Sequence, residues 1–99
     1  MKDEYISKVG VYGQRHYRYL KETKPSVVNV MRMKGTLRSY LEEVNETAEE
    51  MLYQLVKKMA KDEGVTEYLK CRDQMAWVGA MNNIRNRAEE VILNNLIYR

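Results

Sequence analysis

The residues best equipped for chemistry stand together in GVYGQRHYRYLKETKP, Gly10 to Pro25. This segment holds the only histidine, His16, among Arg15, Arg18, Lys21 and Lys24, with Tyr12, Tyr17 and Tyr19 interleaved. Cations at that density can meet phosphate oxygens, and tyrosine rings can stack on bases or hydrogen-bond through their hydroxyls. Arg32, Lys34 and Arg38 carry the basic character onto the next element. The same residues also fit a short amphipathic helix whose tyrosines anchor it on a bundle and whose arginines stay in water. A helix-turn-helix around KETKPS lacks a clear recognition helix after a tight glycine turn. Contact with the DNA backbone or minor groove therefore suits the segment better than base reading.

A second polar concentration is MNNIRNRAEE, Met81 to Glu90. Asparagine is a mediocre helix former, because its amide competes for backbone hydrogen bonds. Helical spacing nevertheless puts Trp77, Met81, Ile84, Ala88 and Val91 on one apolar stripe. Tyr68, Cys71, Met75 and Val78 start a second stripe, which resumes at Leu93 and Leu96. Asn82 falls on that second stripe and is expected at a packed seam, its amide hydrogen-bonded and fixing helix register. Arg85 and Glu89, four apart, are expected to pair. Asn83 and Asn86 point elsewhere and remain available to a partner. The alternative takes Asn82, Asn83, Arg85 and Asn86 together as a partner-recognising patch. Cys71 reads as a small buried residue.

Catalytic, metal and cofactor motifs are not legible in the chain. One histidine and one cysteine give no metal-ligand spacing, and there is neither a phosphate-binding glycine loop nor a nucleophile elbow. Ser26 stands near a helix start, where capping or exposure explains it. The acid pairs Glu42-Glu43, Glu49-Glu50 and Glu89-Glu90 are sequence neighbours, and such residues point about 100° apart on a helix. The reading is of a protein without catalytic residues, metal or cofactor.

The elements that must position these residues are all helical. One domain over residues 1–99 is expected, a bundle of three to four helices with a long C-terminal helix. Residues 1–10 read as a flexible N-terminal arm, 11–24 as a short basic-aromatic helix and 25–99 as the bundle. Pro25 suits the first turn of a helix. From Val30 the stripe Val30, Met33, Leu37, Tyr40 and Val44 follows, with Gly35 as a kink. Thr47 and Glu50 have capping-box spacing, so a further helix is expected from there, with Ala48, Leu52, Leu55 and Met59 on its apolar face. Gly64 is its natural stop. Thr66 then caps a last helix from about Glu67 to Leu96. The closing VILNNLIYR is apolar on nearly every side. It either packs as the last core turns or pairs two chains into a homodimer.

The bulk properties agree with a folded soluble chain. Hydrophobic residues make up 44% and charged ones 31%, which argues against wholesale disorder. The net charge of +3 hides an asymmetry. Residues 1–38 hold nine Lys/Arg against three acids, and residues 39–67 hold three against eight. A basic third beside an acidic middle suits phosphate or an acidic partner, or two helices of opposite charge packed together. No apolar run is long enough to cross a bilayer, and no secretory signal is visible. A lone cysteine fits a reducing cytoplasm.

Three segments carry a family resemblance. GVYGQRHYRYLKETKP, LEEVNETAEEM and EGVTEYLKCRDQMAWVGAMNNIRNRAEEVILNNLIY resemble the TnpV family of small transposon-encoded proteins. The likeness runs from about Gly10 to Tyr98, and DQMAWVGAMNNI, the following AEE and the terminal LIY are its most specific parts. Members of the family often carry a longer N-terminal stretch. The resemblance implies association with transposable elements and an accessory role in excision, like that of excisionases. It establishes no chemistry. Two expectations follow: a DNA-binding or recombinase–DNA-binding accessory protein, and a protein-binding module that inhibits or adapts a host or element protein such as a defence nuclease.

Overall fold

The structure, a computed structural model, describes residues 8–98. Five α-helices follow in order: α1 Val11–Thr23, α2 Pro25–Lys34, α3 Leu37–Asp62, α4 Glu67–Arg72 and α5 Gln74–Ile92. A π-helical turn, Leu93–Ile97, continues α5. No strand occurs among the described residues. The chain is thus an all-α single domain with a long C-terminal helix, drawn out to 55 × 22 × 17 Å. Residues 1–7 of the expected N-terminal arm lie outside the described residues, whereas Val9 is buried.

Two expected helices break, and a third joins two expected ones. Gly35 does not kink a continuous helix; it ends α2. Its φ of 72° is left-handed, and its N–H bonds back to the Arg32 and Met31 carbonyls, a conformation glycine adopts without steric cost. Beyond it, α3 runs 26 residues straight through Thr47. The capping-box spacing there is coincidental, because Thr47 and Glu50 lie on an exposed face. Leu41, Val44 and Ala48 meanwhile keep one continuous buried stripe, so nothing calls for a break. Gly64, with φ 71°, turns the chain after α3 as expected. The long last helix is interrupted at Asp73, whose carboxylate accepts the Ala76 N–H at 3.1 Å and starts α5 afresh.

The apolar core gathers at one end. Val9, Tyr17, Leu20, Val28, Leu37 and Leu41 form one cluster where α1 and α2 meet the start of α3. Tyr12, Val44, Ala48, Ile92 and Ile97 form a second between α1, α3 and the C-terminus. The π turn explains how Ile92 and Ile97, five apart, both face inward. Wide turns bonded five residues apart stack such residues, and the Tyr98 N–H does reach the Leu93 carbonyl at 2.8 Å. Ile84 and Ala88 are fully buried between α3 and α5.

Farther out, the second half of α3, α4 and the start of α5 form an arm. Val56, Met59, Leu69, Trp77 and Met81 are only half-buried there. The expected second apolar stripe packs only where it resumes, at Leu93 and Leu96 beside the second cluster, and its earlier part is not a packed seam. Tyr68, Met75 and Val78 are 69, 84 and 41% exposed, and Cys71 is exposed too. The physical reason is topological: α1 and α2 cover the opposite end, and the break at Asp73 takes α4 out of line with α5.

Candidate nucleic-acid interface

Helix α1 is fixed in place by residues distant in sequence. Its N-cap position is Gly10, at φ 112°, which has no side chain to cap the first turn. Asn45 of α3 does so instead, its Oδ1 accepting the Tyr12 N–H at 3.0 Å and the Gly13 N–H at 3.2 Å. These are two of the N–H groups that a helix start leaves without an intrahelical acceptor. Gly13 permits the close approach, since a Cβ there would press on Val9 and sit 2.9 Å from the Leu41 carbonyl.

One turn on, His16 locks the middle of α1. Its Nδ1 lies 2.8 Å from the Ile97 carbonyl and its Nε2 lies 2.8 Å from the Tyr40 hydroxyl. A carbonyl can only accept, so Nδ1 carries a proton and donates to it, and in the neutral ring Nε2 then accepts from Tyr40. Burial pushes the Tyr40 hydroxyl pKa above its ordinary value, which keeps that donor protonated. Burial, reinforced by the charge of Glu89, raises Tyr12 in the same direction. Tyr12, His16, Tyr17 and Leu20 thus make the inner face of α1.

The outer face is left to solvent. Val11, Gln14, Arg15, Arg18, Tyr19, Glu22 and Tyr98 line an open cleft of about 460 Å³. The Arg15 guanidinium donates to the Tyr98 hydroxyl over a long 3.5 Å, the main cause of its raised pKa. The Tyr19 and Tyr98 rings stand 5.6 Å apart at 59°, an edge-tilted pair on the cleft wall. Two cations and two aromatic rings therefore converge there, tempered by one acid.

The other basic candidates divide. Lys24 and Lys34 are exposed near the junctions that flank α2. The Lys21 ammonium lies 4.9 Å above the Tyr17 ring. Arg32 donates to the Tyr17 hydroxyl, with its guanidinium 5.7 Å from the same ring. Arg38 pairs with Glu42 at 2.9 Å. Tyr12 and Tyr17, candidates for stacking on bases, are 9 and 4% exposed and belong to the core. On this geometry the rings that face the cleft are Tyr19 and Tyr98. Tyr98 stands 83 residues from Arg15 in sequence, so spacing gave no signal for it.

The asparagine-rich segment lies elsewhere, on α5. Asn82 is exposed, not buried; the buried asparagine of this fold is Asn45, 7% exposed. Arg85 lines a groove with Tyr12, Glu49, Leu52, Tyr53 and Val56. The ion pair of the segment is formed by Arg87 rather than Arg85 with Glu89. Its Nη2 reaches both Glu63 carboxylate oxygens at 2.7 and 2.9 Å, and its Nε donates to Asn83 Oδ1 at 2.8 Å. Asn83 therefore steers Arg87, while Asn86 is exposed.

No group of three or more His, Cys, Asp and Glu suited to a metal occurs among the described residues. Nor is any described helix long and apolar enough to cross a membrane. Fold and cleft define a small all-α protein with a basic-aromatic surface on its first helix. The family model for transposon-encoded protein TnpV matches residues 1–97, and the chain belongs to that family. No curated protein and no solved structure matches it.

Proposed function

We propose that this protein is a non-enzymatic accessory factor of its mobile element, binding DNA or a recombinase–DNA complex through the outer face of α1, in the manner of an excisionase. One observation carries the reading. The inner face of α1 is pinned by Asn45 and His16, so Arg15 and Arg18 are held outward beside Tyr19 and Tyr98 in an open cleft. Cations on a rigid helix meet phosphates without first being ordered, and nearby rings can add stacking. Lys24 and Lys34 add exposed cations at the two junctions of α2, outside the cleft.

Fluorescence anisotropy with a labelled duplex, titrated at several salt concentrations, tests it. Binding should weaken as salt rises, and Arg15→Ala with Arg18→Ala should lower the salt slope by about 2, one for each phosphate no longer neutralised. Absence of binding by the intact chain at low salt would end this reading. A second reading, a module that occupies a host or element protein such as a defence nuclease, draws on the exposed Tyr68, Met75 and Val78 of the arm. Its mark is one stoichiometric protein recovered from nuclease-treated extract, and no longer recovered when Met75 and Tyr68 are replaced by serine.

A further inference from the structure

A groove between α3 and α5, to which α1 contributes nothing, is lined by Glu50, Met51, Gln54, Leu55, Lys58, Val91 and Ile92 and measures about 410 Å³. Its middle is apolar: Met51 and Val91 are 40 and 42% exposed, with Leu55 and Ile92 beneath. Its charges stand apart. Glu50 lies four residues before Gln54 and Lys58 four residues after it. At about 1.5 Å per residue the two charges sit about 6 Å on either side of Gln54 along the helix.

That arrangement is complementary to itself. A second α3 running the opposite way, with a two-fold axis at Gln54, sets each Glu50 against the other chain's Lys58. The same rotation brings both apolar middles together. The wider charge pattern of α3 agrees: Glu42, Glu43, Glu46 and Glu49 precede Glu50 and outweigh Arg38, while Lys57, Lys58 and Lys61 outweigh Asp62 near its end. A parallel copy would oppose acid to acid and base to base. Within one chain Glu50 accepts from Gln54 at 3.0 Å, and Lys58 is too far along the helix to reach it. An isologous contact requires that residue i meet j while j meets i. An unrelated partner imposes no such symmetry on one helix. The molecule is also only 17 Å through its thinnest dimension, and two antiparallel helix pairs laid face to face make a four-helix bundle.

We propose that the occupant of this groove is a second copy of the chain, docked antiparallel on α3 about a two-fold axis at Gln54. Light scattering or sedimentation across a concentration series should give a mass twice the 11.8 kDa of one chain. Val91→Glu, which puts a charge into the apolar middle, should weaken dimerisation about a hundredfold. Glu50→Lys and Lys58→Glu should each weaken it about tenfold, because both symmetry-related contacts become repulsive. Mixing those two single variants should restore a dimer of unmodified strength, since in the heterodimer every cation at these positions faces a carboxylate. Circular dichroism confirms that the variants fold, as all three positions are exposed. A mass of one chain at the highest soluble concentration overturns the proposal and leaves the groove to a different partner. A dimer indifferent to all three substitutions, or a mixture of the two folded charge variants that stays monomeric, overturns it as well.

Discussion

The two ends of this molecule handle their polar groups in opposite ways. At the α1 end, Asn45 and His16 are buried and satisfied across the fold by Tyr12, Gly13, Ile97 and Tyr40. Toward the arm, polar side chains make their contacts at the surface: Asp73 caps its own helix, and Arg87 reaches Asn83 on its own helix and Glu63 just beyond α3. Apolar residues reverse the contrast, packed in two clusters at one end and left exposed as Tyr68 and Met75 on the other. Polar groups at the α1 end therefore specify how helices sit, whereas polar groups on the arm only adjust helix ends and surface. Damage to the two ends should differ accordingly.

The largest effect should come from Asn45→Leu, close to isosteric but without the acceptor. It strands two amide N–H groups in the interior and should cost about 3 kcal/mol in denaturant unfolding. Asn45→Asp keeps an acceptor at a helix N-terminus and should lose less. If the leucine variant were as stable as the parent, the asparagine cap would not hold α1 in place.

Next in size is Gly13→Ala, at about 2 kcal/mol, because the added methyl meets the Leu41 carbonyl and Val9 in a packed contact. The same change at Gly79 of α5, where a Cβ would meet nothing within 4 Å, should stabilise instead by up to about 1 kcal/mol through helix propensity. The pair of thermal melts compares the two ends directly.

A smaller effect separates them by pH. Tyr40 and Tyr12 have raised pKa values in the folded state, so folding holds their protons more tightly than the unfolded chain does. Stability from this source is complete below their ordinary value of 10.0 and declines as pH rises past it. Tyr40→Phe should flatten that alkaline decline, measured as the melting temperature from about pH 9 to 11, at the expense of the bond to His16. Least of all, Asn82→Leu and Met75→Ser on the exposed arm should change stability by no more than about 0.5 kcal/mol. A loss of several times that for Asn82→Leu would return Asn82 to a packed seam.

A lone amide on an apolar stripe is buried and bonded in this protein, but at Asn45 rather than Asn82. Asn45 stands four residues after Leu41 and three before Ala48, so its signal was present in the sequence. Asn82 shows the same local pattern on a part of its stripe that no other element covers. Thr47 and Asp73 make a matching pair: one looked like a helix cap and is not, and the other caps α5 without having stood out. Local spacing cannot separate them, because a cap depends on whether the backbone turns there.

Sequence alone determined that the chain is helical, that Pro25 opens a helix, that Gly64 closes one, and which stripe of α5 carries Ile84 and Ala88. These follow from backbone chemistry and a period of 3.6, both local properties. Tertiary structure alone decided that Tyr12 and Tyr17 turn inward while Arg15, Arg18, Tyr19 and Tyr98 share a cleft, and that the second stripe of the arm stays uncovered. Those outcomes depend on which helix lies against which, and a periodic pattern names a face without naming what packs on it.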